Sequence, residues 1–353
     1  MATTDKRLDI SELDFDDIKT NLKTFLRNQT EFTDYDFEGS GMSSLLDLLS
    51  YNTHYLSMNA NLLANEMFID TASLRSSVVS HAKTLGYTPR SVRAPQATVD
   101  ITLNDTSVTT ATLARGTKFS TVVNDVTYNF LVNTARTKSR VDNVLTFDNV
   151  VLYEGSLITT RYTADSTNVD QRFIIPDSNA DTTTLTVSVQ NSSTDTTTTV
   201  FTLATDISQV SDTSNSYFLQ EIENGQFEVY FGDGVIGKAL TDNNIVILEY
   251  IVTNKSASNG ASTFTPPGSI SGSSDNSVAT VSTASGGAEA ENIQSIKLNA
   301  PLDYASQGRA VTTNDFKVIV PTLFANTQSV SVWGGEDNDP ASYGKVFISV
   351  KTT

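Results

Sequence analysis

Cysteine is absent from this 353-residue chain, which rules out disulfides, zinc–thiolate centres and cysteine nucleophiles together. Histidine is nearly as scarce, with only His54 and His81. A hydrolase triad would need one of them beside a nucleophile elbow, and no G-x-S-x-G string occurs. Trp333 is the single tryptophan, so the aromatic platforms usual in sugar-binding clefts have little to build on. Positive charge is also short. Lys and Arg number 23 against 40 Asp and Glu, a formal net charge of −17. Such a surface repels nucleic acid and anionic membranes, so neither is expected as a partner. The acids are scattered rather than gathered in a tail, which reads as a solvated surface. No apolar run approaches membrane-spanning length. The apolar share, 38%, lies below the usual globular level. Thr and Ser take its place, a composition suited to thin β-domains with polar edges rather than one large core.

What is present changes period along the chain. The stretch FDDIKTNLKTFLRNQ places Phe15, Ile18, Leu22, Phe25 and Leu26 on one face of a helix. Asp14 supplies a capping group, and Asp16 and Asp17 put negative charge at the positive end of the helix dipole. After an aromatic-rich loop, EFTDYDFEGSG, a second helix is predicted over Ser43–Met67, with leucines at 45, 46, 48, 49, 56, 62 and 63. A third is predicted over Ala72–Leu85, where Gly86 suits the left-handed position that ends a helix. Residues 1–95 thus form a helical N-terminal region. Beyond Pro95 the period becomes two. ATVDITL alternates Val99, Ile101 and Leu103 with polar neighbours, and further strands are predicted at 117–123, 126–132, 144–153, 171–176, 183–190, 198–204, 217–222, 226–231 and 245–252. Asn224-Gly225 is the strongest hairpin turn. Residues 96–253 are therefore read as one or more antiparallel β-domains.

Residues 254–288 are rich in Ser, Gly, Thr, Asn and Pro and read as a flexible linker or long loop. Residues 289–353 form a small α/β unit. A short helix is predicted at Glu289–Leu298, and a second, capped by Thr313 or Asn314, carries Phe316, Ile319 and Val320. Strands QSVSVW and KVFISV flank the turn GGEDNDPASYG. The chain stops directly after a strand, so this unit is expected to be incomplete. The fold class that follows is α+β multidomain.

One motif argues for a nucleotide. Gly232-Asp-Gly-Val-Ile-Gly237 is a literal G-x-G-x-x-G. A dinucleotide fingerprint needs a helix opening at the third glycine, because the helix N-terminus holds the pyrophosphate. Here KALTDNN and a strand, IVILEYIV, follow instead. A kinase glycine loop does sit between strands, but its His-Arg-Asp and Asp-Phe-Gly partners are missing. The glycines read as positive-φ residues closing a hairpin. Glu336-Asp-Asn-Asp339 resembles part of a calcium loop, yet Ser342 stands where an EF-hand needs glycine. It reads as a solvated turn, and both histidines as core-edge or interface residues. No catalytic residue, cofactor or metal site is expected.

Three blocks carry a resemblance. YNTHYLSMNANLLANEMFIDTASLRSSVVSHAKTLGYTPRSVRAP is similar to the N-terminal helical region of baseplate wedge proteins from T-even-type contractile-tail phages, within the broader baseplate J-like group. EVYFGDGVIGKAL resembles a turn recurring in that group. APLDYASQGRAVTTNDFKVIV, followed by VWGGEDNDPASYGKVFISV, resembles its Gly-Arg-Ala-Val-Thr…Tyr-Gly-Lys-Val segment. The blocks lie in the family order and span most of the chain, with no motif between 100 and 215.

The resemblance implies a non-enzymatic structural subunit of the virion tail baseplate, assembled in the host cytoplasm. It implies pairing with a second copy and with other wedge subunits through helices, and links between neighbouring wedges around the tail hub. Hub and sheath-proximal proteins are further implied neighbours. The C-terminal dimerisation region of T-even-type members lies beyond the matching part. The helical face of Phe15, Ile18, Leu22, Phe25 and Leu26 is the expected partner interface. Its burial would contribute on the order of 7–15 kcal/mol before entropy costs. Packing of those faces within the helical region satisfies them equally. The alternative function is a β-rich receptor-binding or adhesin-like tail protein, which the helical N-terminus and scarce aromatics disfavour.

Overall fold

The computed structural model describes residues 14–29, 40–105, 107–141, 145–168, 170–205, 209–222, 225–324 and 327–352. The N-terminal stretch MATTDKRLDI, most of the EFTDYDFEGSG loop and Asn224 lie outside these residues. The chain divides into two compact units, one up to Leu85 and one from Gly86 onward.

The first unit is helical. Helix α1 (Phe15–Arg27) begins at Asp14, whose carboxylate accepts from the amides of Asp16 at 2.8 Å and Asp17 at 3.3 Å. Helix α2 (Gly41–Glu66) is capped by Ser40, whose hydroxyl accepts from the Ser43 amide. Helix α3 (Arg75–Thr84) has no side-chain cap of its own at Leu74. Glu66, at the end of α2, fills that role by accepting from the Ser73 and Leu74 amides at 2.8 and 3.2 Å. Gly86 follows with φ +80°, the left-handed residue expected there.

The second unit opens with a β-body. Its strands are β1 (Gln96–Leu103), β2 (Thr110–Leu113), β3 (Lys118–Val123), β4 (Val126–Val132), β5 (Arg136–Ser139), β6 (Leu145–Glu154), β7 (Ser156–Thr163) and β8 (Phe173–Ile175). There follow β9 (Ala180–Gln190), β10 (Thr198–Leu203), β11 (Ser216–Glu221), β12 (Phe227–Phe231), β13 (Ile245–Val252) and β14 (Asn276–Ser285). One sheet runs β14-β1-β6-β4-β3, with a β2–β5 ribbon beside it. Val99, Ile101 and Leu103 of β1 point inward as their alternation predicts, and share a hydrophobic core with Phe119, Phe130 and Leu152. Phe264 sets its ring edge-on to Phe130 at 5.0 Å.

The other sheet runs β7-β13-β9-β10-β11-β12-β8. It is antiparallel except where β10 meets β11. Its two outermost strands approach each other, because Tyr162 of β7 donates its hydroxyl to the Ile174 carbonyl of β8 at 2.6 Å. The rolled sheet encloses Phe173, Val187, Val229, Leu248 and Tyr250.

Residues 254–288 are not a linker. They hold a short 3₁₀ turn at 255–258, and β14 pairs antiparallel with β1 from Asn276 to Ser285. Ala261, Phe264 and Ile270 enter the first core. A Ser/Thr-rich composition suggested a loop, but Val278, Thr280, Val281 and Thr283 are β-branched and fit a pleated edge. The β-region therefore extends past 253, through β14.

Helix α4 (Ile293–Ser306) starts later than the 289–298 expectation, because Asn292 is its cap and accepts from Ser295. Helix α5 (Thr313–Leu323) is capped by Thr312 with Asp315 returning the bond, one residue ahead of the predicted cap. Strands β15 (Thr327–Gly334) and β16 (Val346–Thr352) then pair antiparallel. The fold class is thus α+β, with N-terminal helices, central sheets and a small C-terminal α/β unit. No described helix is long and apolar enough to cross a membrane.

Candidate assembly surface

The glycine turn is closed to a phosphate. Asp233 accepts from the amides of Val235 at 2.9 Å and Ile236 at 3.0 Å. Those two bonds hold its carboxyl below the usual range, against a small opposing effect of burial. Gly234 donates to the Gly237 carbonyl, Gly237 to Ser211 and Lys238 to Ser214. The amides that would cradle a phosphate are thus already bonded, and a carboxylate occupies the centre. Gly232 is required by space, since a Cβ there would lie 2.2 Å from the Ile236 carbonyl oxygen. The turn joins β12 to β13, which are not neighbours in the sheet. It is a corner between distant strands and not the hairpin its sequence suggested.

The other motifs are similarly committed. His81 Nε2 lies 2.9 Å from the Glu66 carbonyl oxygen, bracing α3 against α2. Asn338, in the acidic turn, accepts from Trp333 Nε1 at 3.0 Å. Among the described residues, no group of three or more His, Asp or Glu side chains is placed to hold a metal ion.

The unusual surface belongs to α2. Its buried strip is small and polar: Ser43, Ser50, Asn61 and Ala64, with Leu46 the one large side chain. Its open side carries Leu45, Leu48, Leu49, Tyr55, Leu56, Leu62 and Leu63, between 47% and 69% exposed. A water-facing helix normally shows the reverse pattern. Leu48, Leu49, Tyr51, Asn52 and Tyr55 line a shallow depression of about 480 Å³ there. Leucines on every side of a predicted helix were the available signal, because one apolar stripe serves one neighbour and a broad one serves several. The single stripe of α1 drew the expectation away from it.

Of the α1 stripe, Ile18 is buried, Phe15, Leu22 and Leu26 are half-buried, and Phe25 is 64% exposed. Helix α1 packs on α2, and Lys19 pairs with Asp47 at 2.5 Å. The stripe is thus partly occupied within the unit, with Phe25 left open.

The connector after α3 is fastened within the second unit. Glu291 accepts from the Tyr87 hydroxyl, the Arg90 amide, the Ser295 hydroxyl and the Asn299 amide. Burial alone would raise its carboxyl, but these donors hold it below the usual range. Asp181 accepts from the Ala94 amide at 2.8 Å, and there burial prevails and pushes its carboxyl up.

Comparison with known proteins adds three findings. Residues 14–87 match the baseplate wedge protein gp6-like helical domain. Residues 312–353 match the C-terminal domain I of the baseplate structural protein gp6. Baseplate wedge protein gp6 of Enterobacteria phage T4 is 30% identical over 364 aligned residues, covering 96% of this chain and 53% of that protein. The chain spans about half the length of that relative.

Proposed function

Since the chain belongs to the gp6-like baseplate wedge proteins, we propose that it is a structural, non-catalytic subunit of a phage tail baseplate wedge. Its helical unit joins the wedge through apolar helix faces shared with other wedge subunits and with a second copy. The β-body acts as a spacer, and the C-terminal unit links neighbouring wedges around the tail hub. Its place is the virion tail, reached by assembly in the host cytoplasm.

The observation that carries this reading is the inverted α2. Large apolar side chains face outward while the buried strip is mostly small and polar. Burial of half-exposed leucines on this scale repays ordering only in an assembly. The expected interface on α1 joins it through Phe25, with Phe15, Ile18, Leu22 and Leu26 supporting the helix from beneath.

Co-expression with neighbouring tail proteins, followed by native mass spectrometry, tests this. A stable complex is expected, and Leu56→Asp with Leu63→Asp should abolish it. A clean monomer that captures none of those proteins would overturn the reading.

A further inference from the structure

We propose that Glu291 is a latch holding the C-terminal α/β unit against the β-body, and that its release lets that unit swing on Gly287. The proposal rests on the assembly reading above, in which the two parts serve different neighbours, and adds the joint between them.

The chain enters and leaves the β-body along one antiparallel ribbon. From Leu103 opposite Asn276 to Gln96 opposite Ser285, the ribbon is β1 with β14. Pairing continues outward beyond both strands. Arg93 and Ala288 exchange backbone bonds at 2.9 and 3.1 Å, and the Glu291 amide donates to the Arg90 carbonyl at 3.0 Å. The two sides of this outer ribbon are fastened unequally. On the entry side, the Ala94 amide donates to Asp181, the Thr182 amide to Ser91 Oγ, and the Glu154 amide to the Pro95 carbonyl. Those bonds anchor it to β9 and β6. On the exit side, residues 288–291 lean on the entry strand. Lys255 also pairs with Glu289 at 2.6 Å, an exposed contact that water weakens. Residues 288–291 are thus a tether.

The inner end of the tether is clamped. Asn259 donates its side-chain amide to the Gly287 carbonyl and accepts from the Gly287 amide, both at 3.0 Å. A Cβ at Gly287 would stand 2.4 Å from Pro95 Cγ and 2.5 Å from the Lys255 carbonyl oxygen. The outer end is Glu291, itself buried. Its carboxylate reaches back across the ribbon to the Tyr87 hydroxyl and the Arg90 amide. The same carboxylate accepts from Ser295 and Asn299, in the first two turns of α4. It joins helix to strand.

Beyond Glu291, α4 packs on α5, α5 on β15, and β15 pairs with β16. The C-terminal unit is built on itself, so tension on it falls first on the Glu291 bonds at the mouth of the ribbon. A pair of strands pulled apart from one end loads its bonds in turn, not together. Opening halts at Gly287, where Asn259 holds the exit side and Asp181 and Glu154 hold the entry side. Residues 288–291, fully extended, reach at most about 14 Å. That is a hinge movement which leaves both parts folded.

The full chain tests this. Glu291→Gln keeps the size of the side chain, but its nitrogen cannot accept where the second carboxylate oxygen did. In hydrogen exchange, the amides of Arg93 and Ala288 should exchange roughly ten-fold or more faster in this variant. Those of residues 99–103 should be unchanged. Because the chain has no cysteine, spin labels on Val126→Cys and Ser331→Cys, both exposed positions, report the separation of β-body and C-terminal unit. With Glu291 and Gly287 in place, one narrow distance distribution is expected. Glu291→Gln should add a second, displaced population. Gly287→Ala should add it too, by wedging the root of the tether with Glu291 intact.

If Glu291→Gln speeds exchange throughout β1 and β14 as well, the carboxylate is a general stabiliser and the latch assignment falls. If neither variant adds a second distance, the hinge falls. Opening as expected in a chain that captures no tail protein would support the hinge and overturn only the assembly reading.

Discussion

The hydroxyl of Tyr87 donates to both carboxylate oxygens of Glu291, at 3.0 and 2.8 Å, across 204 positions of sequence. That contact ties the connector leaving α3 to the entry of α4, the helix that leads to the C-terminal unit. Arg90 strengthens it twice, since its amide donates to Glu291 and its carbonyl accepts from the Glu291 amide.

Replacing this carboxylate should therefore be costly. Glu291→Ala leaves the Tyr87 hydroxyl and the Arg90 amide without their acceptor. A loss of about 3 kcal/mol is expected, measured by urea unfolding. Trypsin should then cut after Arg90 and Arg93, with the β-body intact. Unchanged protection at both sites would contradict the clasp.

Acid should loosen the helical unit through Glu66. Burial acts to raise its carboxyl, yet the bonds from Ser73 and Leu74 outweigh that and bring it down to about 2. A depressed carboxyl contributes stability above its unfolded value of 4.5, and that contribution is lost as pH falls toward 2. Glu66 is only half covered, so water screens the effect to about 1 kcal/mol. Glu66→Gln should remove this acid limb from the helix signal in circular dichroism, leaving a flatter profile between those pH values.

The glycine corner makes two opposite statements. Gly232→Ala has no room for its methyl and should cost about 1–3 kcal/mol as an overpacked site, seen as a lower midpoint in thermal unfolding. Wild-type chain titrated with ATP should give no binding heat, because the turn amides and Asp233 already satisfy one another. Saturable heat at this turn would reverse that conclusion.

The single tryptophan reports on the C-terminal unit. Trp333 stacks on Phe347 at 5.9 Å and donates to Asn338. Asn338→Ala should cost about 1 kcal/mol and shift the fluorescence spectrum. An unaltered spectrum would show that Asn338 does not hold the indole.

Much of the architecture was legible along the chain. Asp14 before FDDIKT announced α1, Gly86 ended α3 as a positive-φ residue, and the alternation of Val99, Ile101 and Leu103 gave the inward face of β1. Local causes wrote these features: caps, handedness and period. β14 was hidden because its Ser and Thr match a loop by composition, and only the waiting edge of β1 makes it a strand. The Gly232–Gly237 string was readable as a turn but not as a corner, since nothing local says that β12 and β13 are strangers in the sheet.

Local pattern was enough to establish most of the helices and strands, the impossibility of thiol chemistry, and three blocks that resemble a baseplate wedge protein. Which faces those elements leave open was settled only by packing in three dimensions. The leucines of α2 were visible as letters, but whether they serve a private core depends on what α1 and α3 cover. What is buried on α2 is Ser43, Leu46, Ser50, Asn61 and Ala64, mostly small or polar. Burial is a property of neighbours brought together in space, and no window of sequence contains them.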